Sequence, residues 1–192
     1  IITIFPVKPL FKKSFLDYFG KLLGDELDDF VEACKRPLRS SIRVNTLKIG
    51  LDDLRRMLSE KNVIFEPVPF YKNGLIINKR DFSLGNSLEH FMGYYYVQEQ
   101  SSMIPPLVLN PKKDDFVLDC CASPGSKTTQ LSMMMDNNGT IISNDRRIGR
   151  ISILRSNLQR CGCRNVMMTM NDARVFGRHF EVFDKVLLDA PC

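Results

Sequence analysis

Apolar side chains recur at three- and four-residue steps through residues 12–34, where Phe15, Phe19, Leu22, Leu23, Leu27, Phe30 and Val31 fall on one side of a helical projection. Gly20 and Gly24 inside that run predict two helices rather than one. Pro37 ends the pattern, and residues 40–49 (SSIRVNTLKI) predict a strand. Residues 51–62 form an amphipathic helical pattern with Leu54, Met57 and Leu58 on one side. Short strands are expected at 64–68 and 75–78, with Lys72-Asn73-Gly74 as the turn between them. This order predicts a small α+β module with a half-exposed sheet. Such a sheet suits either an RNA platform or a packing domain, and no aromatic residues interleave along it as they do in base-stacking sheets.

From residue 84 the pattern changes. Residues 84–109 read as a bridge, with the run Tyr94-Tyr95-Tyr96 at its centre and an interruption at Pro105-Pro106. Beyond the bridge, apolar strands alternate with helices. Residues 116–118 form a strand closed by Asp119, and a helix begins at Ser126 and ends by Gly139. A second strand, 140–143, ends at Asn144-Asp145. A helix over 147–160 carries Ile148, Ile151, Leu154 and Leu158 on one face and stops at Cys161-Gly162. A third strand, 165–170, ends near Asn171-Asp172, and a fourth, 184–188, ends at Asp189. The alternation predicts an α/β domain over 84–192, preceded by the helical and α+β module over 1–83. In a parallel sheet the four carboxyl ends share one edge, so Asp119, Asp145, Asp172 and Asp189 would converge on the crevice where such folds bind ligands.

The chemistry concentrates in residues 116–130 (FVLDCCASPGSKTTQ), a strand, a small-residue loop and a helix start. That arrangement brings backbone N–H groups and a helix N-terminus up to a nucleotide-like ligand. Asp145 follows Gly125 by the ~20 residues at which a carboxylate meets ribose hydroxyls in dinucleotide folds. The loop holds one glycine instead of the dinucleotide fingerprint, so no pyrophosphate need be accommodated. A ligand with ribose, adenine and a cationic centre but no phosphate suits an acidic rim, and S-adenosylmethionine fits that description. A triphosphate-binding loop is excluded, because Ser126 separates Gly125 from Lys127 and no glycine stands upstream at the required position. A serine hydrolase is excluded by the lack of a Gly-x-Ser-x-Gly elbow.

Composition narrows the setting. The net charge of +5 and pI near 8.9 lean toward a polyanionic partner, and residues 1–50 carry nine Lys/Arg against six Asp/Glu. Six cysteines at 34, 120, 121, 161, 163 and 192 form no Cys-x-x-Cys pair and stand with only two histidines. They read as reduced thiols, with no metal site expected. No apolar run approaches the ~20 residues of a membrane span, and the charges of IITIFPVKPLFKK come after its apolar patch, the reverse of a secretory signal. A soluble, cytoplasmic protein is expected, without a membrane partner and as a monomer.

RVNTLK (43–48), YVQEQSSMIPPLVL (96–109), DCCASPGSKTTQ (119–130), the Asn144-Asp145 turn and LLDAPC (187–192) together resemble the RNA cytosine-5 methyltransferases of the Nop2/Sun/RsmB group. The likeness runs from about residue 28 to residue 192 and is nearest to the bacterial branch acting on small-subunit ribosomal RNA. It implies an RNA-binding N-terminal module and a Rossmann-like class I S-adenosylmethionine-dependent methyltransferase sheet, incomplete at its C-terminal side. It also places the cofactor loop on Cys121, Ala122, Ser123, Pro124, Gly125, Ser126 and Lys127, the ribose-binding acid on Asp145 and the adenine-side acid on Asp172. Cys120-Cys121 and Ser123 stand where the family more often has small apolar residues. Asp189 matches the acid facing the target cytosine, and Lys127 the residue that holds the methionine end or the base. Cys192 matches the Asp-Ala-Pro-Cys cysteine that helps eliminate the enzyme from its product. The family's nucleophile is another cysteine, in a Thr-Cys-Ser segment further along than residue 192, so the chain is expected to be the front part of a catalyst. Two classes stay open on the sequence: an RNA cytosine-5 methyltransferase, with transfer RNA as an alternative substrate, and a non-catalytic RNA- or cofactor-binding fragment.

Overall fold

The computed structural model describes residues 11–190. The segment IITIFPVKPL, on which the leader expectation rests, lies outside the described residues, as do Pro191 and Cys192. The chain divides into two compact units, one ending at Leu38 and one beginning at Arg39.

In the first unit, α1 (Lys13–Leu23) and α2 (Leu27–Lys35) are joined by a 3-10 turn over Gly24–Glu26. The break falls at Gly24, whose φ of +55° with ψ of −122° lies in a region that glycine reaches because it has no Cβ. Phe15, Phe19 and Phe30, which the periodicity placed on one side, pack together, Phe15 tilted against Phe19 with ring centroids 4.6 Å apart and Phe19 stacked on Phe30 at 4.7 Å.

The second unit opens with β1 (Ser41–Val44), α3 (Leu51–Glu60), β2 (Ile64–Val68), β3 (Tyr71–Lys79), α4 (Leu88–Phe91) and β4 (Tyr95–Val97). The strands form an antiparallel sheet in the order β2-β3-β1-β4. The turn between β2 and β3 falls at residues 69–70, not at Lys72-Asn73-Gly74, which lie within β3. Gly74 serves packing there: a Cβ would stand 2.7 Å from Val68 Cγ2 and 3.2 Å from Met103 Sδ. β4 lies beyond residue 83 yet pairs with β1, Arg43 opposite Tyr96.

The expectation of a half-exposed sheet is corrected. β1 is buried at every position. Ile42 and Val44 join Leu75, Ile77 and the α3 residues Leu54 and Leu58 in one core. On the other side Val68, Tyr71 and Ile76 pack with Met103 of α5 (Gln100–Leu109) and Met133 of α6 (Ser126–Met134). A flat surface for stacked bases is therefore absent from this part of the sheet. Pro105 and Pro106, read as an interruption, sit inside α5. Pro106 removes the bond to the Ser102 carbonyl that a helix interior normally supplies, and Gln98 Nε2 donates to that oxygen at 2.9 Å instead.

The parallel sheet comprises β5 (Phe116–Asp119), β6 (Thr140–Asn144), β7 (Val166–Thr169) and β8 (Lys185–Leu187), in the order β7-β6-β5-β8. Val117, Ile141 and Leu187 pack against Leu131 and Met135 on one face. Leu118 and Ile142 lie in a separate cluster with Phe176 and Phe183. From α7 (Ile148–Cys161), Ile151, Leu154 and Leu158 pack on Ala122. Ile148, expected on the same face, is 73% exposed in the helix's first turn. The chain steps from β5 to β6 and β7 and then crosses to the far side of β5 as β8, which puts a topological switch point at the carboxyl end of β5.

Candidate functional site

The apolar strand β5 delivers Asp119 and the loop 120–125 to the switch point, and Gly125, at φ +105°, turns the chain into α6. A Cβ at Gly125 would lie 3.0 Å from Leu154 Cδ1, so the close approach of α7 as well as the dihedral favours glycine. The loop is pinned from beneath: Ala122 N donates to Asn144 O (2.8 Å), and Gly125 N to Ala122 O (2.8 Å). The peptide before Pro124 is cis.

Asn144 ties the strand ends together. Its Nδ2 donates to Cys120 O (3.0 Å) and Asn171 O (2.9 Å), and its Oδ1 accepts from Asn171 N (2.9 Å) and Thr169 Oγ1 (3.0 Å). This buried amide fixes the spacing of β5, β6 and β7 at the crevice.

Of the four strand-end acids, two line one cleft of about 670 Å³. Asp145 and Asp172 border it with Cys120, Cys121, Asn144, Arg146, Arg147 and Arg150. Asp145 is 5% exposed, and its carboxylate accepts from Ser123 N (3.3 Å) and Arg147 N (3.2 Å) and pairs with Arg150 Nε (3.2 Å). A carboxylate has about four acceptor positions, so capacity for one further donor remains. Asp172 caps the 3-10 segment Ala173–Arg178 through Arg174 N (3.0 Å). The Arg174 guanidinium, bonded at 2.8 and 3.0 Å, holds its carboxyl well below the usual carboxylate range.

Asp189 lies beyond β8 in a neighbouring hollow of about 230 Å³, lined by Cys121 to Pro124, Ser126, Lys127 and Arg150. Lys127 Nζ is 2.5 Å from Asp189 Oδ2 and donates to Ser102 Oγ at 3.1 Å. The two hollows share Cys121 and Arg150, so they adjoin.

Asp119 does not join them. It is 1% exposed and turned under α6, where it accepts from Thr128 Oγ1 at 2.7 Å. Burial pushes its carboxyl up to about 6, against the opposing pull of Thr128, the Cys121 amide and Lys127. Burial likewise raises both loop thiols, Cys120 to about 11, which keeps them protonated and poorly nucleophilic at neutral pH. Among the described residues no cluster of three or more His, Cys, Asp or Glu side chains could hold a metal ion. No described helix is long and apolar enough to cross a membrane.

Sequence reasoning did not single out Arg150, named Asn144 only as part of a turn motif, and gave no role to Ser102 or Arg43. Arg43 and Ser102 sit in the motifs RVNTLK and QEQSSM, but nothing in those motifs told which neighbour each would reach.

A parallel α/β sheet with a small-residue loop at its switch point, a buried acid after the second strand and a lysine–carboxylate pair beside the loop defines the class of Rossmann-like methyltransferase domains. Residues 106–192 match the family model of the 16S rRNA methyltransferase RsmB/F, and residues 11–100 that of the N-terminal domain of 16S rRNA methyltransferase RsmF. The chain belongs to this RsmB/RsmF family of the Nop2/Sun methyltransferases. It is 46% identical over 170 residues to the ribosomal RNA small subunit methyltransferase F of Shewanella oneidensis, covering 86% of this chain and 36% of that protein. It is 46% identical over 186 residues to the protein of the same name from Vibrio parahaemolyticus, covering 93% and 39%. The chain thus spans well under half the length of these curated relatives. The crystal structure of a methyltransferase homolog protein from Pyrococcus horikoshii superposes with a TM-score of 0.86 at 39% identity, over 95% of this chain and 60% of that one.

Proposed function

We propose that the protein transfers a methyl group from S-adenosylmethionine to C5 of a cytosine in RNA, with small-subunit ribosomal RNA as the substrate. The observation that carries this reading is the pair of adjoining hollows separated by Cys121 and Arg150, one bordered by Asp145 and the other by the Lys127–Asp189 pair. The residues fit the cofactor: a buried carboxylate with a free acceptor position suits ribose hydroxyls, and the loop over Cys121–Lys127 suits the methionine end. Bound there, S-adenosylmethionine supplies an electrophilic methyl group on a sulfonium centre.

Cytosine C5 is a poor nucleophile, so a thiolate must add to C6 before C5 can attack. Burial disfavours the thiolate form of Cys120 and Cys121. In the family the addition falls to a cysteine of a Thr-Cys-Ser segment. Asp189, exposed at the mouth of the smaller hollow and positioned by Lys127, donates a proton to N3 as the thiolate adds to C6; after C5 takes the methyl group a base removes the C5 proton, the C6–S bond breaks and N3 returns its proton. Cys192 acts in the later elimination that frees the product. The target base must be unstacked to reach this hollow. The N-terminal module, residues 1–83, contributes RNA binding, and the protein acts as a cytoplasmic monomer. The RNA source is tested by offering the full-length protein small-subunit ribosomal RNA and transfer RNA in parallel, followed by bisulfite mapping. Conversion-resistant cytosines in the ribosomal RNA are expected, and resistance confined to transfer RNA would overturn the substrate assignment.

A further inference from the structure

Arg43 is the largest wholly buried side chain among the described residues, at 1% exposure. It reaches from β1 of the antiparallel sheet to the first turn of α6: Nη1 donates to Ser126 O (2.6 Å) and Gln98 Oε1 (2.5 Å), and Nη2 to Thr129 Oγ1 (2.7 Å). The Tyr96 ring lies 5.3 Å from its guanidinium carbon and 5.4 Å from that of Arg160. Among the described residues no carboxylate pairs with Arg43, and its Nε has no hydrogen-bond partner. Burying a guanidinium without a counter-ion is costly. If the task were only to tie neighbouring elements together, neutral amides would do it at less cost, as Gln130 ties α6 to α5 by donating to Met103 O.

The first turn of α6 has a matching property. The nine-residue helix starts at Ser126, and its N-cap, Gly125, has no side chain to accept from the free N–H groups. An uncapped helix N-terminus favours an anion. Arg43 adds a full positive charge one hydrogen bond from Ser126, the residue between Gly125 and Lys127.

We propose that Arg43 is a positioning residue that sets the first turn of α6 and biases the 121–127 loop toward an anionic group, the carboxylate at the amino-acid end of the cofactor. This rests on the proposed cofactor reading and adds to it a specificity element supplied by the N-terminal sheet. The charge acts through the helix turn, and the guanidinium itself stays buried.

The test compares two ligands in the full-length protein by calorimetry: S-adenosylhomocysteine, which carries the carboxylate, and 5′-methylthioadenosine, which lacks the amino-acid end. Arg43→Met should lose ~10-fold or more in affinity for the first and stay within ~2-fold for the second. Arg43→Lys, which keeps the charge without the fork, should recover part of the loss. Thr129→Val, near-isosteric and removing one anchor, should show a smaller loss with the same selectivity, and it decides the matter if Arg43→Met does not fold. Equal losses for both ligands, or none, would overturn the inference while leaving the cofactor reading intact. A parent protein that binds neither ligand overturns the cofactor reading and this inference with it.

Discussion

Lys127 Nζ lies 2.5 Å from Asp189 Oδ2, joining the first turn of α6 to the segment after β8. The lysine is held from the other side by Ser102 Oγ of α5. Asp189→Asn should therefore lower the rate of methyl transfer by ~100-fold or more, as expected when one preorganised group facing a developing charge is removed. S-adenosylmethionine affinity should change by less than ~3-fold. Single-turnover transfer of a radiolabelled methyl group, with calorimetry on the same preparations, checks both halves. A variant that keeps its transfer rate would remove Asp189 from the chemistry.

Asp145 is held at the floor of the larger cleft by Ser123 N, Arg147 N and Arg150. Asp145→Ala should weaken S-adenosylmethionine binding by ~10-fold or more, because a hydrogen bond to a charged group is worth about 1.5–3 kcal/mol. Equal affinities for parent and variant would take the carboxylate out of the ribose site.

Asp119 gives a pH signature that is independent of catalysis. Its carboxyl titrates near 4 in the unfolded chain and at about 6 in the fold, so the fold disfavours the ionised form. The cost is absent below about pH 4, develops as pH rises to about 6 and is complete above that, for a total of roughly 3 kcal/mol. Urea denaturation of the parent should show this loss between about pH 4 and about pH 7, and Asp119→Asn should flatten it. Parallel pH curves for the two proteins would count against an ionisable, buried Asp119.

Much of the parallel sheet was legible because each strand is a short apolar run closed by an acid, and all four came within a residue or two of their observed ends. The roles of those acids were less so. Asp119 looks like Asp145 in sequence, yet its neighbour Thr128 draws it under α6 and away from the cleft. The antiparallel sheet misled for a related reason. Lys72-Asn73-Gly74 has the composition of a turn, but the space beside Val68 and Met103 demands a residue without a side chain in mid-strand. Pro105-Pro106 reads as a stop, but both lie inside a helix in which Gln98 takes over the Ser102 carbonyl that Pro106 leaves free. Buried polar networks such as that of Arg43 depend on which elements pack together, and local pattern carries no such information.

Cys192 is expected to release the product and not to attack the base. In the full-length protein Cys192→Ala should leave addition and transfer intact and stall elimination, so that a covalent protein–RNA adduct accumulates and survives denaturing electrophoresis. Loss of adduct in that variant would instead make Cys192 the nucleophile.

The central claim is that the loop at the switch point presents a methyl donor to cytosine C5. Its most direct test is to incubate the full-length protein with methyl-labelled S-adenosylmethionine and small-subunit ribosomal RNA, digest the RNA to nucleosides and separate them by chromatography. The account predicts that the label co-elutes with 5-methylcytidine and falls to background for Asp189→Asn. Label in any other nucleoside, or none above background with a parent protein that binds the cofactor, would contradict it.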